Sequence, residues 1–296
     1  MSWLLQGNAL LALGSAVLWG GGDFSGGMGV KHAGGSLGAA LRVVLLSHAM
    51  SFVVLLTIAG VRGDAFPHGA ALAWGILAGV AGGTSLTCFY IALSRGAMGA
   101  SAAMSGLLAA AIPAAVSVYA EGWPGTIRMV GFALAGVAIW MIAAGPNAEA
   151  QKAEAGTVWL ALVAGVGFGI YFLALKYAGS AGVVWPMATA RMGSLSVCSL
   201  LLLGVTRLAK KPEVTAATMT RAAVLWCAST AAMDTSGNLL FLAATRAGRL
   251  DVAAVLASLY PATTILLAAW TLHERPTRRQ GLGMLVAGAA VVMITL

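Results

Sequence analysis

Five ionisable side chains interrupt stretches that are otherwise apolar: Asp23, Arg42, His48, Arg191 and Asp234. Charge surrounded by hydrocarbon is costly, so such residues normally face a partner or a water-filled cavity. Asp23 stands in Trp19-Gly20-Gly21-Gly22-Asp23-Phe24-Ser25-Gly26-Gly27. The glycines loosen a helix there and leave backbone groups free to meet a ligand. Its carboxylate could hold a substrate ammonium, take a coupling proton or form a structural ion pair. Asp234 sits beside Thr235, Ser236 and Asn238; the same roles apply, with interhelical hydrogen bonding as the plainer alternative. Arg42 and Arg191 lie about six to eight residues inside their apolar stretches, where long cationic side chains snorkel to the interface. Anchoring is their expected role, and pairing with Asp23 or Asp234, or holding a substrate carboxylate, is the sharper one. His48 is expected in hydrogen-bonded packing.

Aromatic rings are the second class. Trp19, Phe24, Tyr90, Phe168, Tyr171, Phe241 and Tyr260 could hold an apolar body or, through cation–π attraction, an ammonium. With Asp23, Asp234 and Asn238 they form the expected substrate-binding set, and Asp23 and Asp234 are the expected proton or ion coupling residues. Trp3, Trp123 and Trp159 fall near stretch ends, where an interfacial belt is expected. No catalytic or metal-ligating pattern emerges and no cofactor is expected. His32, His68 and His273 share no ligand spacing, there is no phosphate loop, and Cys88, Cys198 and Cys227 are odd in number and read as packing residues. Gly34-Gly35-Ser36-Leu37-Gly38 matches a nucleophile elbow by letter alone, because that motif has meaning only between a strand and a helix of a hydrolase sheet.

The elements that carry these residues must live in lipid. Hydrophobic residues make up 60% of 296 and charged ones 9%, with a mean hydropathy of +0.91. A soluble domain carries about 25% charge. Stretches near 8–30, 36–60, 70–93, 98–119, 127–145, 157–178, 183–206, 222–244, 252–272 and 280–296 each approach the about 20 apolar residues that span a bilayer. The fold class predicted is all-α integral membrane, with ten transmembrane helices. Residues 1–30 hold no Lys or Arg, which argues against a cleavable signal and for a retained span.

The net charge of +8 does not gather into a nucleic-acid patch. Lys31, Arg95, Lys152, Arg207, Lys210, Lys211, Arg221, Arg275, Arg278 and Arg279 fall at one set of stretch ends. Arg62, Arg128, Lys176, Arg246 and Arg249 fall at the other. The positive-inside bias then puts both termini outside the cytoplasm. The partners expected are a small-molecule substrate and the bilayer, with no nucleic acid; monomer and homodimer stay open.

The chain also repeats itself. Arg42 answers Arg191, Trp19-Gly20 answers Phe168-Gly169, Leu93-Ser94-Arg95-Gly96 answers Ala244-Thr245-Arg246-Ala247, and Glu121 answers Glu274. The polar segment between Gly145 and Gly156 divides two sets of five stretches, giving repeats over 1–148 and 149–296. An odd number of spans per copy makes the copies inverted, which suits a site between them that opens alternately to either side. Gly75, Gly79 and Gly83, and likewise Gly165 and Gly169, form small-residue ridges expected to bring helix backbones close.

The carrying segments are Ala92 to Gly96 through Glu121 and Gly131 to Gly136 in the first half. In the second they are Ala243 to Arg246, Ser258-Leu259-Tyr260-Pro261, His273-Glu274-Arg275-Pro276 and Gly281 to Gly288. The chain resembles the drug/metabolite transporter superfamily, and within it the EamA-type exporters. His273 stands where that family's closing motif usually has Gly. In the first copy Leu108 occupies the usual proline position, with Pro113 five residues on. The resemblance implies alternating access around a cavity lined by spans one, three, four, six, eight and nine. It also implies export of small metabolites such as amino acids, aromatic or amphipathic ones by the lining, from a bacterial inner membrane. Rival expectations are an intramembrane enzyme acting on a lipid or isoprenoid, a drug or nucleotide-sugar-type transporter, and a non-transporting scaffold.

Overall fold

The computed structural model describes residues 2–94, 98–143, 155–208, 214, 216–271 and 277–296. Among them the regular structure is entirely helical. The elements are α1 (Ser2–His32), α2 (Leu37–Arg62), α3 (Ala70–Ser94), α4 (Met98–Glu121), α5 (Thr126–Ala143), α6 (Ala155–Ala178), α7 (Val184–Leu208), α8 (Arg221–Ala247), α9 (Leu250–Ala257), α10 (Pro261–Thr271) and α11 (Arg278–Thr295). Among the described residues, six segments are long and apolar enough to cross a membrane by length and composition: α2, α7, most of α3 and α4, α6 with the turn after it, and α9 through α10. Outward side chains such as Leu10, Val61, Leu200, Leu225 and Leu285 are largely exposed, as a lipid-facing surface requires. The protein is an integral membrane protein. Trp123 and Trp159 are exposed near helix ends, as an interfacial belt would have them; His273 and Glu274 lie outside the described residues.

Local chemistry sets the helix ends. Ser36, the serine of the elbow-like string, accepts from Ala39 N at 2.9 Å and starts α2, so its role is a cap. Gly63 closes α2 at φ +66°, a left-handed turn suited to glycine. Thr220 caps α8, and Thr277 with Gln280 forms a reciprocal capping box on α11.

One expected span differs. The stretch 252–272 was expected as a single helix, but Ser258–Tyr260 breaks it into α9 and α10. Pro261 has no N–H to continue the ladder and is favoured at a helix start. Pro113, by contrast, is carried inside α4 without a break.

Packing runs between the chain's halves. α1 lies along α8, α3 is held between α6 and α7, α4 packs on α6, α2 on α7 and α8, and α5 on α11. The glycine ridge of α3 sets its distance from α7. A methyl added at Gly79 would collide with the Ala190 carbonyl, and one at Gly193 with the Ile76 carbonyl.

Candidate functional site

The glycine run of α1 presses that helix onto two neighbours at once. A Cβ at Gly20 would strike the Tyr260 carbonyl and Thr263, and one at Gly22 would fall 3.3 Å from Asp234 N. Thr264 reinforces the first contact by donating to the Gly20 carbonyl at 3.1 Å. Trp19 and Asp23, one turn apart on the same face, are thereby aimed into a cavity of about 60 Å³. A single water needs about 10–15 Å³ by this measure, so the space suits a few waters or one compact group. Asp23 is half-buried, and among the described residues its carboxylate has no hydrogen-bond or ion-pair partner.

Opposite Asp23 lies a closed polar network. Arg191, buried on α7, ion-pairs through Nη2 with Asp234 of α8. Its Nε donates to Ser51 of α2 at 2.9 Å and its Nη1 to His48 Nε2 at 2.9 Å. An arginine only donates, so His48 Nε2 must accept and its Nδ1–H points to Ser194 Oγ, 2.5 Å away. Ser51 and Thr235 are hydrogen-bonded at 2.5 Å. Asn238 Nδ2 donates to Asp234 Oδ1 at 3.0 Å and to the Asp234 carbonyl at 2.7 Å. The Tyr171 hydroxyl of α6 donates to Asn238 Oδ1 at 2.6 Å. The chain Ser194–His48–Arg191–Asp234–Asn238–Tyr171 thus joins α2, α6, α7 and α8.

Aromatic rings form the remaining wall. Trp19 of α1 and Phe172 of α6 stack in parallel at 5.1 Å, the planes 1° apart. Phe241 supports that stack from behind, 4.7 Å from Phe172, and Phe168 meets Phe89 edge-on at 6.0 Å. Tyr260 reaches the cavity at the α9–α10 break.

Of the side chains expected at a binding site, Trp19, Asp23, Phe168, Tyr171, Asp234, Asn238 and Tyr260 line this one cavity. Phe24, Tyr90 and Phe241 lie off it. Phe24 is turned one residue further round α1 and packs edge-on against Trp226 at 6.0 Å. Tyr90 is buried against Gly26 and Phe89, and Phe241 is fully buried behind the ring stack. Arg191, expected first as an interfacial anchor and more sharply as a partner of Asp23 or Asp234, pairs with Asp234 at the centre of the network; its near-end position along α7 said nothing of the direction it faces. His48 has the hydrogen-bonded role expected of it, but inside the site. Phe172, Phe89, Ala109 and Gly79, Gly82 and Gly83 of α3 also line the cavity. Phe168, Tyr171 and Phe172 recur at helical spacing, which was a readable signal for Phe172. The lining takes in α2 and α7 beyond the spans the resemblance implied, and leaves out α5 and α11.

A second polar seam lies at the end of the bundle where α1 begins. Arg249 pairs with the fully buried Asp251 at 2.7 Å and donates to the Glu121 and Gly122 carbonyls at 3.2 and 2.7 Å. The hydrogen bond it donates to Asp251 holds the Arg249 guanidinium above its usual pKa. Lys176 ion-pairs with Glu121, and Asn8 donates to the Arg249 carbonyl at 3.3 Å. Among the described residues, no three His, Cys, Asp or Glu side chains meet as metal ligands would.

Three comparisons bear on this architecture. Residues 155–296 match the EamA-like transporter family, part of the drug/metabolite transporter superfamily. No curated protein matches the chain. A solved crystal structure aligns over 97% of this chain and 95% of its own, with a TM-score of 0.73 and 13% identity, a likeness of fold alone.

Proposed function

We propose that this protein, whose second half carries the EamA-like match, is a secondary transporter that moves small metabolites by alternating access around the central cavity. Ten spans in two inverted repeats, 1–148 and 149–296, are the frame of that reading. Positions about 150 residues apart line the same cavity in pairs, which supports an inverted repeat with its site between the copies: Trp19 with Phe168, Asp23 with Phe172, Gly83 with Asp234, and Ala109 with Tyr260. Packing relations also recur on exchange of the halves, α1 on α8 beside α6 on α3.

The observation that carries the reading is the cavity itself, enclosed by helices of both halves and presenting one unpartnered carboxylate beside an aromatic wall. Such a place suits an amphipathic solute with an amino group, amino acids first, exported across a bacterial inner membrane. Asp23 is the residue through which a proton would couple to that flux, since Asp234 already has Arg191 as counter-ion. Counterflow of labelled amino acids in proteoliposomes tests the proposal, with and without a pH gradient. Saturable exchange supports it; no exchange for any amino acid, amine or drug in a broad panel overturns it. Under proton coupling, Asp23→Asn loses gradient-driven flux and keeps exchange.

A further inference from the structure

We infer that the cavity reads an ammonium group and offers no place to a carboxylate, so the ligands it fits best are compact organic amines with a flat apolar body. The inference rests on the transport reading above and moves its substrate class from amino acids to amines that lack the carboxylate.

Arg191 is the one cation among the described lining residues. Four of its five N–H groups are already engaged, by Ser51, by His48, and by Asp234 together with Thr235, which leaves one Nη1–H. Asn238 spends its amide donor on the Asp234 carbonyl and carboxylate, and its carbonyl oxygen on Tyr171. A ligand carboxylate would therefore find a single N–H there, and a paired contact would require it to displace Asp234 from Arg191. Gly22 packs α1 directly onto Asp234, so the displaced carboxylate would be released beside Asp23, with the ligand's single ammonium to offset both. Like charges at such range in a poorly solvated site are strongly disfavoured.

Asp23 presents the opposite situation. Arg191 and Asp234 cancel, His48 accepts from the guanidinium as a neutral ring, and Asp23 is the one carboxyl group among the described lining residues without a counter-ion. An ammonium supplies that charge and the missing donors together. The space of about 60 Å³ takes the ammonium and its first carbons, and the rings of Trp19, Phe168 and Phe172 must part to accept a flat apolar body; their faces favour a cation. Removing the carboxylate from an aromatic amino acid, or masking it as an amide, thus removes the part of the molecule that the cavity rejects.

The test is titration calorimetry of the purified full-length protein with phenethylamine, phenylalaninamide and phenylalanine, beside counterflow of labelled phenylalanine and phenylalaninamide in liposomes. Amine and amide are expected to bind at least about tenfold more tightly than phenylalanine. Asp23→Asn is expected to abolish that binding while eluting as a folded monodisperse species, and Asp23→Glu to retain the preference. Equal binding of phenylalanine and its amide overturns the inference, as does amine binding that survives in Asp23→Asn. Flux without any amine preference sinks the inference and leaves the transport reading intact. Amine binding with no flux of either compound does the reverse.

Discussion

Arg191 and Asp234 form an ion pair between α7 and α8 in which the arginine is the more deeply buried partner, 5% exposed against 22% for the aspartate. Its other nitrogens reach α2 through Ser51 and His48, so one side chain ties three helices. Breaking a buried pair from one side leaves a charge without compensation, at a cost of about 3–5 kcal/mol. Asp234→Asn and Arg191→Met are each expected to lower the thermal unfolding midpoint in detergent sharply. The double variant is expected to recover part of that loss. Additive losses would show that the two residues do not act as a pair.

Asp23 should behave differently, although it is a carboxylate facing the same cavity. With no hydrogen-bond or ion-pair partner to lose among the described residues, Asp23→Asn is expected to change stability by less than about 0.5 kcal/mol, or to raise it. Side-by-side melting curves of the two Asn variants decide this. A loss in Asp23→Asn as large as in Asp234→Asn would assign Asp23 to the scaffold.

The α3–α7 contact makes a steric prediction. Gly79→Ala places a methyl against the Ala190 carbonyl, and overpacking of this kind costs about 1–3 kcal/mol. Gly27→Ala meets open space within its helix and should be neutral, or more stable by up to about 1 kcal/mol. Equal melting points for the two alanine variants would mean that α3 and α7 have slack between them.

The seam at the other end of the helices concerns the fully buried Asp251. Arg249→Ala strips that carboxylate of its counter-ion and frees the Glu121 and Gly122 carbonyls. A loss of about 3 kcal/mol is expected, together with faster proteolysis at the α4–α5 and α8–α9 turns. Arg249→Lys should recover only part, since an ammonium cannot reproduce the forked geometry. Full recovery by lysine would reduce the seam to simple charge.

Much of this was legible in the chain because lipid imposes strict terms. Apolar stretches of spanning length and isolated carboxylates are conspicuous when everything around them is hydrocarbon. Direction around each helix was harder to read. Trp19 and Asp23 share a face and enter the cavity, while Phe24 is turned away by one residue's rotation. Arg191 lies two turns inside α7, a depth that fits an anchor as well as it fits a site. Only the position of α8 and α2 beside it separates the two. The break in the ninth stretch had a visible cause in Pro261, but its effect, which exposes Tyr260 to the cavity, depends on the contact with Gly20. No local pattern announces that contact.

The reach of Arg191 bears on how such a molecule can move. Sliding α8 away from α2 or α7 would strand a guanidinium and a carboxylate in a medium that solvates neither. The three helices should therefore travel together as one stiff unit. Any rearrangement that opens the cavity would then be borne by boundaries without ionic ties, chiefly the smooth glycine-lined flanks of α1 and α3.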